Sequence, residues 1–381
     1  MARRRECNPP KVEPAPHHGR LDLRLLHAHY RLAMKLSVSG ENAAERLAIA
    51  LGVAPVPLVD THMAFLRARA IMVATKLGVF EALAAGPLSS DAVADRCGTS
   101  PVATPKLLNA LVACGYLRAV KGDYALTARA RTWLLADSPQ SVRDKVLFEF
   151  FEWTIVAGTE AFVRTGRAHD LHLSDDEERW GAYQRAMRVL SRLAAPEIVR
   201  RTPLPRGATR MLDIGGSHGC IPAAMCRRHP ALSAVVLDLP AAVRHAAPLL
   251  AAEGLGARVV HREGDARVDD LGTAEWDLIY IAQLLHHFDE ATNRALMQRV
   301  ARALKPGGYV AGVELVRPAA PGDAGQVGAL LDLYFALTSQ SGTWSTEEIA
   351  AWQRDAGLAP RRTITLRTVP GAAELVARKR E

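Results

Sequence analysis

The chain has 381 residues, more than one typical domain holds, which predicts two or three. Hydrophobic residues make up 49% and charged residues 23%, an ordinary globular balance, and no apolar run is long enough to span a bilayer. Residues 1–35 hold eight Arg and Lys against three acids, so +5 of the net +8 sits in a leader, and no nucleic-acid or membrane partner is expected.

Residues 1–20, with Pro9, Pro10, Pro14 and Pro16, are expected to lack fixed structure. Segments 21–36 and 41–53 have helical periodicity. DTHMAFLRARAIMVATKLGVFEAL, from Asp60, predicts one long amphipathic helix. LSSDAVADRCG and SPVATPKLLNALVACG each start at Ser and end at Gly, as capped helices do. YLRAVKGDYALT predicts two short strands around a Lys121-Gly122-Asp123 turn. Helix, helix and strand pair together make a winged helix. Its second helix offers only Lys106 and Asn109 among apolar residues, which favours packing over DNA contact. Residues 138–200 read as helices, and Pro203 and Pro205 mark a boundary. Strand patterns then alternate with helices: 210–215, 233–239, 257–265, 276–283, 308–315 and, closing the domain, 361–369. The expectation is an α/β, doubly wound, mostly parallel sheet. The chain divides into a leader 1–57, a module 58–135, a helical segment 136–205 and the α/β domain 206–381.

The first strand of that domain runs into Asp213-Ile214-Gly215-Gly216-Ser217-His218-Gly219 and then a helix. Glycines there let backbone approach a ligand at the carboxyl edge of the sheet. The second strand ends in Asp238, placed to accept from ribose hydroxyls. A dinucleotide site wants G-x-G-x-x-G facing a pyrophosphate, whereas these glycines run G-G-x-x-G behind an acid. That acid would repel a diphosphate but suits S-adenosylmethionine (SAM), which carries an amino group and a sulfonium. Downstream, Asp265 can accept from an adenine amino group and Phe288 can stack on or cover the purine. His286 and His287 lie at the same edge, and one of them is a candidate general base. Glu314, ending strand five, can orient a neighbouring imidazole. Phe148, Phe151, Trp153, Met187, Leu330, Tyr334 and Thr338 are candidate walls for a flat acceptor, though each taken singly reads as core. Five scattered cysteines form no C-x-x-C pair, so no metal site is expected, and free thiols without a secretory signal suit the cytoplasm.

In this order the motifs resemble the plant-type O-methyltransferase family, which includes bacterial members that modify antibiotics and pigments. The resemblance spans about residues 58–375 and rests on LDIGGSHG, VVLDLP, EGDA, LLHHFDE, LKPGG and VEL. It implies a Rossmann-like SAM-dependent methyltransferase fold behind an N-terminal, mostly helical winged-helix dimerisation domain, and a homodimer. It implies that Gly215, Gly216, Gly219, Leu239, Ala266 and Ala282 join Asp213, Asp238, Asp265 and Phe288 around SAM. YQRAMRVLS resembles the segment in which Met187 borders the acceptor and Ser191 touches SAM. By motif position His286 is the base and Glu314 an acid flanking it, while the turn is one residue short, so His287 competes. Trp344 stands where plant members have a second flanking Glu, and Ala266 and Ala282 replace bulkier cofactor contacts. The implied reaction is methyl transfer to a hydroxyl, phenolic above all, of a small secondary metabolite. Rivals are C- or N-methylation, a non-methylating SAM enzyme, and a winged-helix regulator that binds a metabolite.

Overall fold

The computed structural model describes residues 36–168, 176–317, 320, 322, 325–339, 341–369 and 371–381. The segment 1–20 and the expected helix 21–36, Leu36 aside, lie outside the described residues. The helix expected over 41–53 is Ala43–Ala50, capped by the Asn42 side chain on Glu45 N–H.

The single long helix expected from Asp60 is interrupted. A π-turn Val59–Met63 leads into Ala64–Lys76, which stops before Gly78, and Val79–Ala82 is a separate turn. Gly78 adopts φ 76°, the left-handed conformation that closes a helix and that other side chains resist. Helices Ser90–Cys97 and Thr104–Ala113 follow, then strands β1 (Leu117–Val120) and β2 (Asp123–Leu126) in antiparallel register. Lys121 and Gly122 both have positive φ, matching the primed turns that suit a twisted ribbon. Phe80, Leu83, Val93, Leu108, Leu111, Leu117 and Leu126 form the core of this module.

The helices over 138–200 appear as Arg143–Val156, Thr159–Thr165 and the 25-residue Glu177–Arg201. The last one serves two cores. Ala182 and Ala186 pack on Phe148, whereas Ala194, Ile198 and Val199 pack on the sheet.

The sheet comprises β3 (Arg210–Ile214), β4 (Ser233–Asp238), β5 (Val259–Glu263), β6 (Trp276–Ile281), β7 (Leu304–Leu315), β8 (Leu358–Thr365) and β9 (Ala372–Lys379). Their order is β5-β4-β3-β6-β7-β9-β8, parallel except for β9. Alternation along β3 sends Met211 to a layer with Met225 and Ile198, and Leu212 to the opposite layer with Leu296 and Trp352. Helices thus cover both faces. The sequence reading ended the sheet at 361–369, but β9 follows and inserts between β7 and β8. Its centre carries Glu374, fully buried and bonded by Thr202 Oγ1 at 2.5 Å. A charged residue in mid-strand disguises the apolar pattern of an interior strand. The chain runs outward from β3 through β4 and β5, then returns to β6 on the other flank of β3, so the switch point lies between β3 and β6. Ligands bind α/β sheets at that place.

Candidate active site

Five parallel strands direct the ends that carry Asp213, Asp238, Asp265, His286 and Glu314 to one edge. The β3 loop is drawn tightly over Asp213: a Cβ at Gly216 would lie 2.2 Å from the Asp213 Oδ2. Gly219 is equally confined, since a Cβ there would meet Leu250 at 2.6 Å, and its φ is +69°. Ser217 holds φ 51°, a conformation that costs a non-glycine residue about 1 kcal/mol. Its N–H donates to Asp238 at 2.8 Å, its carbonyl contacts His261 Nε2 at 2.8 Å, and its hydroxyl contacts Gln184.

Asp213 is buried, and no protein donor among the described residues reaches its carboxylate. Burial first, then the charge of Asp238, raises its pKa to about 8. Asp238, with Asp213 able to ionise beside a cation, fits a ligand bearing positive charge and disfavours a diphosphate. SAM answers that description. Asp238 takes backbone N–H groups from Ser217 and Leu239, one on each carboxylate oxygen. Leu239 is 38% exposed beside it. Asp265 is engaged by Arg267 at 2.7 and 3.0 Å, and that bond holds its pKa low. The adenine amino group expected there must share or displace Arg267. Ala266, Ala282 and Phe288 line the edge as half-buried apolar positions.

Ser191, expected against the cofactor, bonds His218 of the glycine loop. His218 Nδ1 accepts from Cys220 N–H, so Nε2–H donates to Ser191 Oγ at 3.2 Å. Burial pushes the His218 pKa down to about 3, so the ring is neutral.

The structure separates the two adjacent histidines. His286 is buried in a tight turn, Leu285–His287, with Nδ1 3.1 Å from Glu314 Oε2. Glu314 Oε1 accepts from Leu284 and Leu285 N–H at 2.8 and 2.9 Å. Burial outweighs these donors and raises the Glu314 pKa to about 8. His287 stacks on His286 with centroids 4.0 Å apart. The turn has two further supports that the residue pattern did not reveal: Trp344 Nε1 and Asn293 Nδ2 both donate to Leu285 carbonyl, at 2.9 Å each. Asn293 is fully buried on the apolar face of helix Glu290–Ala303, the one signal that could have marked it.

The residues expected to wall an acceptor do not all lie together. Phe335, one residue from the expected Tyr334, faces His286 at 4.3 Å between centroids. Tyr334 donates to Glu152 at 2.8 Å, and Lys145 holds the other Glu152 oxygen at 2.5 Å. Thr338 spends its hydroxyl on the Tyr334 carbonyl, one turn back. Leu330 is 53% exposed. Trp153 turns to Arg69, 5.1 Å away, and is not grouped with Phe148. Phe148, Phe151, Tyr183 and Met187 do form one cluster. Helical periodicity placed these residues on helices without fixing which face meets the histidines.

Residues 59–136 match the O-methyltransferase dimerisation domain and residues 142–359 match the O-methyltransferase domain. The chain is 29% identical over 333 residues to 3-hydroxy-5-methyl-1-naphthoate 3-O-methyltransferase of Streptomyces sahachiroi, covering 85% of this chain and 94% of that protein. It is 27% identical to N,N-dimethyltransferase OxyT of Streptomyces rimosus, covering 84% and 96%. The structure of human N-acetylserotonin methyltransferase in complex with SAM shares the fold, with a TM-score of 0.76 at 22% identity over 91% of this chain and 100% of that one. The chain therefore belongs to the O-methyltransferase family, with a Rossmann-like catalytic fold behind a helical dimerisation domain and SAM as its methyl donor.

Proposed function

We propose that the protein methylates a hydroxyl, phenolic in character, on a small flat secondary metabolite in the cytoplasm, with His286 as general base. The buried His286–Glu314 pair at the switch-point edge carries this reading. Burial raises the Glu314 pKa to about 8, so the base-competent form of the pair grows as pH approaches 8: His286 Nδ1–H then donates to the Glu314 carboxylate and Nε2 can take the acceptor proton. Bound SAM supplies an electrophilic methyl group on a sulfonium. His286 removes the hydroxyl proton as the oxygen attacks, and a phenol with a pKa near 10 needs that help at neutral pH. Phe335, Met187, Tyr183 and Phe148 are the walls for the flat acceptor, with Tyr334 and Glu152 as a polar end. Under the same proposal a winged-helix module over 58–135 dimerises, 136–205 serves the acceptor side and 206–381 binds SAM.

The test is turnover with labelled SAM and candidate phenols. His286→Ala should lower kcat about 10²–10⁴-fold at neutral pH, with partial rescue as pH rises and the phenol ionises unaided. SAM affinity should hardly change. Glu314→Gln should cost less, and His287→Ala less again, because His287 lacks the Glu314 contact. Near-wild-type turnover in His286→Ala would remove the base assignment. That result would also favour the second reading, N-methylation, which the likeness to OxyT supports, because a neutral amine attacks without losing a proton first.

A further inference from the structure

Away from the reaction centre lies a groove of about 960 Å³, lined by helix Glu177–Arg201 and helix Cys220–Arg228. Its apolar floor includes Val189, Leu193, Pro196, Val199 and Ala224. Arg188, Arg192 and Arg200 all line the groove from helix Glu177–Arg201, spread over about 18 Å of its length at 1.5 Å per residue. Arg227 and Arg228 line the groove from the end of the other helix. Five arginines thus line one concave surface.

Among the described residues of the groove, a single acid answers them. Glu253, 9% exposed at its side chain, bonds Arg188 at 2.8 Å and Arg227 at 2.7 Å. Arg192 reaches only the Pro139 carbonyl, at 3.3 Å. Among the described residues, Arg200 and Arg228 have no ion pair at all. The groove therefore carries a surplus of positive charge on an apolar floor. Guanidinium forks match phosphate oxygens bidentately, and the volume falls within the range of small-molecule sites. The contrast with the cofactor edge is sharp: Asp213 and Asp238 disfavour phosphate there, whereas this groove invites it.

We propose that the groove binds a small molecule bearing two or more phosphate groups, its body on the apolar floor and its phosphates on the arginine rim. Such an occupant sits behind the cofactor loop, because Cys220 follows Gly219 and Arg188 and Arg192 flank Ser191, which holds His218. The site is distinct from the one that binds SAM.

Calorimetry on the full chain in phosphate-free buffer tests this, with sodium tripolyphosphate and ADP as probes. The expected result is saturable one-to-one binding with Kd below about 1 mM, weakening with added salt. Arg192→Gln combined with Arg228→Gln should weaken it roughly tenfold or more. Both side chains are exposed, and retained SAM binding with an unchanged Tm verifies that the variant is folded. A control variant, with Arg3, Arg4 and Arg5 replaced by Gln, should bind as the parent does. Saturating S-adenosylhomocysteine should not displace the probe. Three results would overturn the proposal: no saturable binding up to about 1 mM, binding lost in the leader variant but kept in the groove variant, or displacement by S-adenosylhomocysteine.

Discussion

Asp213 is a buried carboxyl group with no donor on it among the described residues, and its chemistry follows from that. An ordinary Asp ionises near pH 4, but this one is pushed up to about 8 by burial and by Asp238. At neutral pH the empty site therefore keeps a proton on Asp213. A positively charged amino group beside it favours the ionised form, so SAM binding should release that proton. The sign is fixed: affinity rises with pH toward about 8, where Asp213 ionises unaided, and levels off above it. Calorimetry in two buffers of different ionisation enthalpy should give heats that differ by the released proton, and Asp213→Asn should flatten the pH dependence. Buffer-independent heats with a flat affinity would sink the assignment. The same raised pKa makes Asp213 cost stability in the ligand-free protein as pH rises from about 4 to 8, because the unfolded chain ionises first. Glu314, raised to about 8 by burial, acts in the same direction.

The turn Leu285–His287 works only as an element. Glu314 accepts the N–H groups of Leu284 and Leu285, while Trp344 and Asn293 both donate to the Leu285 carbonyl. Trp344 braces the segment that presents the imidazole, where the plant pattern would set a second acid beside it. It is therefore a positioning residue. Trp344→Phe keeps the ring packing on Trp352, 5.0 Å away, and deletes one donor. A net hydrogen bond is worth about 1 kcal/mol, so kcat should fall about fivefold. SAM affinity should stay unchanged, and the pH profile should keep its shape because the proposed base, His286, is the same group. A matching loss of SAM affinity would mean that Trp344 supports the fold at large. The acids and histidines of this edge were legible because polar residues at the ends of apolar strands stand out. Asn293 and Trp344 were not, since their roles depend on one backbone carbonyl several elements away.

Across the whole molecule, charge and apolar surface are sorted by region. Three acids, Asp213, Asp238 and Asp265, meet at the cofactor edge, arginines line the groove behind it, and apolar side chains of the helices over 43–76 are exposed. Leu58, Met63, Phe65 and Leu66 are 62, 48, 45 and 47% exposed. Contiguous exposed apolar surface of this kind marks an interface, and these residues start the stretch that matches the dimerisation domain. Light scattering should therefore give a dimer for the intact chain at micromolar concentration. Phe65→Glu should shift it to monomer while SAM still binds. A monomeric parent protein would remove the interface reading and return the regulator hypothesis to consideration.

Local pattern alone determined a good deal. The alternation of strands and helices after Pro205 specified an α/β sheet, Ser89 and Gly98 bounded a helix, and the glycines behind Asp213 marked a ligand edge. These are short-range properties, set by backbone conformation and periodicity within one segment. Tertiary structure decided the rest. It placed His286 and not His287 on Glu314, and turned Phe335 toward the imidazole while Tyr334 bonded Glu152. It sent Trp153 to Arg69, broke the first long helix at Gly78 and slid β9 between β7 and β8. Periodicity names the apolar face of an element but not the partner it meets. A pKa near 8 on Asp213 or Glu314 exists only once other segments have removed the water around them.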